Sequence, residues 1–209
     1  MIETKATEGS TKLRLIEAAE ELFASGGFES VSVREITNRA GANVAAVNYH
    51  FGSRAGLVNV VMERYIEPIN RERLEMLSVL ERRGGGTVEE VVETFMRPFV
   101  NMVRRSELSE RLFSKLLGRS LEGGMDLIPE SVVRSFGEVA RRYRKAFGKV
   151  LPGLSEEDCW WRMHFMAGAM IYTLAHGDML QQVSGGRCGN PGMEEVLGRW
   201  ERLKWLLQG

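Results

Sequence analysis

The chain has 209 residues, of which 44% are hydrophobic and 27% are charged, and its 28 Lys and Arg residues balance its 28 Asp and Glu residues. This composition is typical of a globular protein with a sizeable core, and it argues against a disordered or fibrous chain. Zero net charge argues against a protein that coats nucleic acid without sequence preference, although a locally basic surface can still bind specific DNA.

Cysteine usage and hydropathy indicate where the protein resides. The two cysteines, Cys159 and Cys188, are too few for a secreted disulfide framework. The N-terminal residues lack the apolar stretch of a signal peptide, and the longest uncharged apolar run, Phe165–Ala175, is shorter than the roughly 20 residues that a membrane span requires. We therefore expect a cytoplasmic protein without membrane contact.

Apolar residues recur at helical spacing along most of the chain, without strand alternation or an internal repeat. This pattern predicts an all-α fold of about nine helices. The first helix ends at paired glycines, the second begins with a capping box formed by Ser32 and Glu35, and Asn43 is a good N-cap for the third. These three helices are predicted at Thr11–Gly26, Ser32–Ala40 and Asn43–Phe51.

The later helices are longer, and two of them contain a proline. Ser53 is predicted to cap the fourth helix, which continues past Pro68, where the missing backbone donor predicts a kink. Ser155 with Asp158 starts one helix that runs to about Gln182. The six later helices are predicted at about residues 53–83, 87–105, 108–121, 129–147, 155–182 and 190–207.

The second and third helices are joined by the short turn AGAN, which gives them the layout of a helix-turn-helix motif. In that motif the second helix enters the major groove of DNA, where small alanines let it lie deep and polar side chains meet the base edges. A solvent-exposed helix end is the alternative interpretation of the polar cluster. The residues that we expect to contact DNA are Ser32, Arg34, Asn43, Val44, Ala45, Ala46, Asn48, Tyr49, His50 and Arg54.

Arg54 is predicted to contact a phosphate rather than a base. It lies in the first turn of the fourth helix, where the Ser53 cap leaves N–H groups that suit an anion. The segment between Val33 and Leu57 contains three arginines and one glutamate, so it is locally basic within a neutral chain.

The stretch AAEELFASGGFESVSVREITNRAGANVAAVNYHFGSRAGL resembles the DNA-binding domain of the TetR family of bacterial transcriptional regulators. The resemblance rests on the Gly-Phe after the first helix, on Ala40–Gly41, on Tyr49-His50-Phe51 and on the Ser-Arg-x-x-Leu that begins at Ser53. It implies a three-helix DNA-binding domain of residues 1–53 and a C-terminal helical domain of residues 54–209 for ligand binding and dimerisation, connected by the fourth helix.

The chain departs from the common family pattern in its third helix. Asn48 stands where many members have Tyr, and Ala45–Ala46 stands where many have Gly-Thr, so the family's threonine and tyrosine contacts are not carried over. The resemblance further implies a repressor that binds a palindromic double-stranded operator as a homodimer.

The stretches NVAAVNYHFGSR and LPGLSEEDCWWRMHFMAGAMIYTLAH resemble fatty-acid-responsive members of the family, which implies a small apolar ligand such as a fatty acid or an acyl-CoA. We find no arginine and hydroxyl arrangement in the sequence that would hold a head group. Large flexible side chains suit an adaptable pocket, although an ordinary helical core has the same pattern. The candidate pocket residues are Phe95, Phe99, Met102, Phe113, Met163, Met166 and Met170.

Small residues in the helix around Trp160–Met179 allow close approach of another helix, and we interpret this helix and the last one as a dimer interface. A helix buried within one chain is the alternative. The residues predicted for the interface are Ala167, Ile171, Leu174, Met193, Leu197 and Trp200.

We expect neither catalysis nor a cofactor. The chain has no Walker loop, no dinucleotide-binding glycine pattern, no nucleophile elbow and no cluster with metal-ligand spacing. The alternative function is that of a DNA-binding regulator or DNA-organising protein that has no small-molecule inducer. A filled core would favour that alternative, and a cavity would favour the ligand sensor.

Overall fold

The structure is a computed structural model that describes residues 2–105, 129–188 and 198. Within these residues the chain forms eight helices and no strand, which confirms the all-α prediction and agrees closely with the predicted helix count. The helices are α1 (Ile2–Gly26), α2 (Val33–Ala40), α3 (Val44–Phe51), α4 (Arg54–Arg82), α5 (Val88–Arg105), α6 (Glu130–Val150), α7 (Glu156–Ala175) and α8 (Gly177–Val183).

The predicted helices at residues 108–121 and 190–207 lie outside the described residues, apart from Gly198. Among the helices that are described, none is both long and apolar enough to cross a membrane. The described residues divide into two compact units. The first contains residues 2–66 and 129–132, and the second contains residues 67–105, 133–188 and 198, so the first unit extends past residue 53 into α4.

The core of the first unit draws on α1, α2, α3 and the first part of α4. Apolar residues four apart on α1 bury one stripe of that helix, and α2 and α3 each bury a single large side chain against it. The rings of Phe23 and Phe28 lie 4.9 Å apart where the chain leaves α1. The side chains with no exposed surface are Leu15, Ala19, Phe23, Ala24, Ile36, Val47, Leu57 and Val61.

Helix starts follow the predicted caps. The hydroxyl of Ser32 accepts a hydrogen bond from the Glu35 N–H at 3.2 Å, and the Glu35 carboxylate accepts one from the Ser32 N–H at 2.8 Å. Thr87 with Glu90 forms the same reciprocal box at the start of α5. Ser155 accepts from the Asp158 N–H at 3.0 Å and caps α7.

The Ser32 box also changes the acidity of its partner. Hydrogen bonds from the side chain and the backbone of Ser32 lower the pKa of Glu35. Because the folded-state pKa lies below that of the unfolded chain, this contribution to stability is present at neutral pH and is lost as the pH falls through the folded-state pKa.

Two helix boundaries differ from prediction. α1 begins at Ile2 rather than at Thr11. The residues before Thr11 include Gly9 and have no apolar period that would predict a helix. The predicted single helix of residues 155–182 is wrong at its end, since α7 stops at Ala175 and α8 starts after His176. His176 has φ −127° and ψ 28°, and the following Gly177 is a poor helix former.

The second unit has its core along one face of α6. Five apolar side chains recur at helical spacing along this face, and four of them are buried while Phe136 is half-buried. Tyr143 has no exposed surface, and its ring lies 5.1 Å from that of Phe95. The buried members of the stripe are Val132, Val139, Tyr143 and Phe147.

We expect Ser32→Ala to lower the stability of the protein by about 1 kcal/mol, because the substitution leaves a helix N–H without its acceptor. Urea unfolding followed by circular dichroism, at one fixed protein concentration, measures the change. Ser25→Ala is the matched control, because Ser25 is exposed and its hydroxyl bonds to carbonyls of its own helix. Equal effects of the two substitutions would contradict the capping role.

Candidate nucleic-acid interface

The turn between α2 and α3 depends on one glycine. Gly41 has φ 60° and ψ 41°, the left-handed conformation that ends α2. No atom lies within 4 Å of the place where a side chain at position 41 would begin, so the requirement for glycine is conformational rather than steric. The Ala42 N–H donates to the Thr37 carbonyl at 2.9 Å and closes the turn.

α3 presents one buried side chain and a broad exposed face. Val47 has no exposed surface, whereas Val44 is 45% exposed and Tyr49 is 71% exposed. Although Val44 and Val47 are three residues apart, only Val47 packs into the core. Ala45 and Asn48 are exposed as well, so the predicted base-contacting residues face solvent, and Ala46 and His50 border them as half-buried side chains.

The aromatic groups at the end of α3 are arranged edge to face. The Tyr49 and His50 rings lie 4.9 Å apart, and the His50 and Phe51 rings lie 6.1 Å apart. The Nζ atom of Lys12 lies 5.9 Å from the centre of the Phe51 ring, so a cation from α1 approaches the end of α3.

Two of the residues predicted to contact DNA also cap helices. Asn43 accepts a hydrogen bond from the Ala46 N–H through its Oδ1 atom at 2.9 Å and so fixes the start of α3. Ser32 fixes the start of α2. Both side chains are exposed. Their contact with DNA stays a prediction, and their caps orient the backbone of both helices of the motif.

Arg54 points into the protein. Its Nε and Nη2 atoms donate to the Val31 carbonyl at 3.1 and 3.0 Å, and Nη2 also donates to the Phe28 carbonyl. Its guanidinium carbon lies 5.8 Å from the centre of the Phe23 ring. Arg54 therefore ties the first turn of α4 to the segment between α1 and α2, a structural role that the sequence did not reveal. Only Nη1 has no acceptor in the described part of the chain and could meet a phosphate.

Arg14 has a comparable role that sequence reasoning missed. Its Nε donates to the carbonyl of Ala40, at the end of α2, at 3.0 Å. Its two other nitrogens donate to the Ser10 and Thr11 hydroxyls at 3.3 and 3.4 Å. No signal in a single sequence indicates this contact, because 26 residues separate the two partners.

The exposed arginines of the motif differ in whether their charge is free to meet a phosphate. Arg39 forms an ion pair with Glu21 at 2.5 Å, which neutralises it. Arg34 is exposed, and its guanidinium forms no ion pair or hydrogen bond with any residue in the described ranges. Arg34 is therefore the predicted contact residue whose charge is best placed for a phosphate.

The first turn of α4 presses against the end of α3. The Ser53 hydroxyl accepts a hydrogen bond from the Gly56 N–H at 3.0 Å, as the predicted cap requires. A Cβ atom at position 56 would lie 2.0 Å from the Phe51 carbonyl oxygen, which is far too close. The absence of a side chain at Gly56 lets α4 meet α3, a role that no short pattern in the sequence indicates.

The predicted pocket residues are core residues in the described part of the second unit. Phe95, Phe99, Met163, Met166 and Met170 are buried, Met102 is half-buried, and Phe113 lies outside the described residues. A cavity of about 10 Å³ lies at the junction of α6 and α7, which is room for about one water molecule. Its lining is Phe147, Leu151, Leu154, Cys159, Arg162, Met163 and Met166.

The predicted dimer interface lies beside a row of exposed apolar side chains on α7 and α8. Ala167 and Ile171 are half-buried, the side chain of Leu174 falls outside the described part, and so do Met193, Leu197 and Trp200. Phe165 is 62% exposed and its ring lies 5.7 Å from that of Trp161. The exposed row, which sequence analysis did not single out, is Trp160, Trp161, Phe165, Tyr172, Met179, Leu180 and Val183.

Family models match both parts of the chain. Residues 15–61 match the model described as bacterial regulatory proteins, tetR family, and residues 93–202, more than half of the chain, match the tetracyclin repressor-like C-terminal domain. Among the curated relatives, "Probable HTH-type transcriptional regulator YttP" of Bacillus subtilis (strain 168) is 41% identical over 58 residues, 28% of this chain. The repressor BdcR of Escherichia coli (strain K12) is 34% identical over 86 residues, 40% of this chain. The aligned parts cover 28% and 42% of these relatives' own lengths.

Solved structures resemble the chain over nearly its whole length. A transcriptional regulator from Aquifex aeolicus VF5 has a TM-score of 0.60 at 19% identity and covers 94% of this chain and 99% of its own. PfmR from Thermus thermophilus, a TetR family regulator, has a TM-score of 0.64 at 16% identity and covers 94% and 95%. At these identities the likeness establishes the fold alone.

We expect Arg54→Ala to destabilise the protein by about 1–3 kcal/mol, because two carbonyls lose their donor. Arg34→Ala is the matched control and should change stability by less than about 0.5 kcal/mol, since the Arg34 side chain is exposed. Thermal and urea unfolding of both variants measure these changes. An Arg54 variant as stable as the wild type would show that the inward hydrogen bonds do not hold α4 in place.

Proposed function

The chain belongs to the TetR family of DNA-binding transcriptional regulators, and we propose that it is a repressor that binds a palindromic operator as a homodimer and leaves it when a small apolar ligand binds. The exposed face of α3 carries this proposal. Val44, Ala45, Asn48 and Tyr49 project from a helix whose start and end are fixed by Asn43 and Gly52. Such a face suits a recognition helix in the major groove.

Repression rather than activation is supported by the curated relative BdcR, which is named a repressor. The short, capped α2 lies across the motif, with exposed Arg34 in its first turn. In a helix-turn-helix complex the first helix crosses the DNA backbone, so Arg34 is suited to contact a phosphate while Asn48 reads a base edge.

Dimerisation is supported by the exposed row on α7 and α8. Seven large apolar side chains share these two helices, and monomeric proteins seldom expose so many side chains in one neighbourhood. A twofold dimer presents two copies of α3, which is what a palindromic operator requires. The interface would include Ala167 and Ile171 beside the exposed aromatic residues.

Induction is the step that links the two units. We propose a fatty acid or acyl-CoA as the class of ligand, bound among α5, α6 and α7. α4 contributes residues to both units, so a displacement of its second half would be transmitted along one continuous helix to the first. Pro68 lacks the N–H that would donate to the Arg64 carbonyl, which makes it a suitable pivot.

A second candidate function has an observation in its favour. The pocket at the junction of α6 and α7 holds only about 10 Å³, too little for a fatty acyl chain, and that suits a DNA-binding regulator without a small inducer. Native mass spectrometry of the purified protein separates the two candidates. A bound acyl species favours the sensor, whereas operator binding that no small molecule alters favours the second candidate.

We expect Asn48→Ala and Arg34→Ala to impair DNA binding in different ways. Asn48→Ala should relax discrimination at one base pair of the operator, by about 1–3 kcal/mol, because it removes a base contact. Arg34→Ala should weaken binding to all sequences alike and reduce the salt slope by about one unit, as loss of one phosphate contact does. Fluorescence anisotropy with operator variants over a range of salt concentrations measures both. Equal loss of sequence preference in the two variants would contradict these roles.

We expect Phe165→Glu to convert the dimer into a monomer, because a charge in an apolar interface has no compensating partner. Sedimentation velocity gives the mass, and anisotropy with the operator gives the accompanying loss of affinity. Val79→Glu is the control, since Val79 is 40% exposed and lies on α4 rather than on the helices of the row. A Phe165 variant that remains dimeric would place the interface elsewhere.

A further inference from the structure

Arg73 is a buried cation that has no counter-ion among the described residues. It lies on α4 in the second unit, and only 5% of its surface is exposed. Other arginines of this unit pair with carboxylates: Arg142 with Glu81 at 2.5 Å and Arg105 with Glu72 at 3.1 Å. In the described ranges no carboxylate comes within ion-pair distance of Arg73.

Neutral groups surround the Arg73 guanidinium. Nε donates to the Phe95 carbonyl at 2.8 Å, and Nη1 donates to the Asn70 Oδ1 atom at 3.1 Å. The ring of Phe95 lies 4.1 Å from the guanidinium carbon, which gives a cation–π contact. No described residue accepts a hydrogen bond from Nη2. Burial lowers the pKa of Arg73 to about 10, so the side chain still carries its charge at neutral pH.

Buried polar groups complete this site. Asn70 donates through Nδ2 to the Ser135 hydroxyl at 2.9 Å, which leaves its Oδ1 for Arg73. The Tyr143 hydroxyl lies 3.1 Å from both the Arg73 carbonyl and the Thr94 hydroxyl. We refer to Asn70, Arg73, Thr94, Ser135 and Tyr143 as the Arg73 cluster; four of them are buried and Ser135 is half-buried.

A purely structural role explains the hydrogen bonds of the Arg73 cluster but not the buried charge of Arg73. Pro98 leaves the Thr94 carbonyl of α5 without its helical donor, and Arg73 donates to the carbonyl of Phe95, the next residue, which ties α4 to α5 at that place. A neutral donor would serve equally well for this purpose. An unpaired charge in a protein interior carries a desolvation cost of several kcal/mol, which neutral hydrogen bonds offset only partly.

We propose that the Arg73 cluster binds the carboxylate of an amphiphilic ligand, which would supply the missing negative charge. This inference rests on the proposed ligand-responsive function and specifies its ligand. A carboxylate can accept two parallel hydrogen bonds from a guanidinium, and Nη2 with the second proton of Nη1 is suited to them. A single cation matches a free monocarboxylate better than the polyphosphate of an acyl-CoA.

An apolar row leads away from the Arg73 cluster. The Phe95 ring lies 5.1 Å from that of Tyr143, which lies 6.4 Å from that of Phe147. Phe147 lines the small cavity together with Met163 and Met166. The ligand chain would follow this row, and the flexible methionines would repack to admit it. The site therefore selects a carboxylate at one end and an unbranched apolar chain behind it.

The test is calorimetric titration of the full chain, freed of lipid, with hexanoate, decanoate and palmitate and with the primary alcohols of the same lengths. We expect at least one carboxylate to bind about tenfold or more tightly than its alcohol, as a charge-assisted pair should. Arg71→Gln is the matched control, because Arg71 is exposed and only two residues away on α4. It should keep the preference, and Arg73→Gln should lose it.

A second variant, Asn70→Asp, tests the proposal even if the Arg73→Gln variant does not fold. This substitution places a carboxylate beside Nη1 without changing side-chain size, so it supplies an internal counter-ion. The variant should fold at least as stably as the wild type and should lose its preference for carboxylates. Equal binding of alcohols and carboxylates by the wild type, no binding of any carboxylate, or an Asn70 variant that binds carboxylates as the wild type does would overturn the proposal.

The proposed function is tested separately with the operator. Carboxylates that bind through Arg73 but leave the operator complex intact would support the anion site and contradict induction by this ligand. Alcohols that bind as tightly as carboxylates and release the operator would support induction and contradict the anion site.

Discussion

Arginine side chains that donate to main-chain carbonyls of other elements constrain how this chain packs. A helix cannot satisfy its own last carbonyls, and a proline removes a donor from its interior. Around the recognition motif, Arg14 and Arg54 donate to carbonyls outside their own helices. In the second unit Arg73 does the same for Phe95. Because a buried carbonyl without a donor costs about 1–3 kcal/mol, these long side chains hold elements that are far apart in sequence.

Charge is distributed differently in the two units. In the first unit, Arg39 is neutralised by Glu21, and Arg34 remains exposed for an anionic partner in solvent. In the second, Arg73 is enclosed and its partner has to come inside. One neutral chain thus carries two kinds of cationic position, one suited to a phosphate at the surface and the other suited to a carboxylate in the core.

Local features of the fold were predictable from the sequence and long-range ones were not. The caps at Ser32, Asn43 and Ser53 involve partners three residues away, so a short pattern contains all that is needed. Exposure of most of the recognition face follows from the period of α3. The hydrogen bonds of Arg54 and Arg73 join residues more than twenty positions apart. Only the tertiary structure shows that Arg54 points inward and that Arg73 is enclosed. The end of α7 was missed because a weak breaker, His176 with Gly177, lies within an apolar period.

Gly56 has a consequence for how this regulator tolerates genetic change. Any other amino acid there places a carbon 2.0 Å from the Phe51 carbonyl oxygen, and main-chain atoms cannot swing aside as a flexible side chain can. The recognition helix would have to tilt to relieve the overlap. A screen for loss of DNA binding should therefore recover substitutions at this codon, although glycine has no side chain with which to touch DNA.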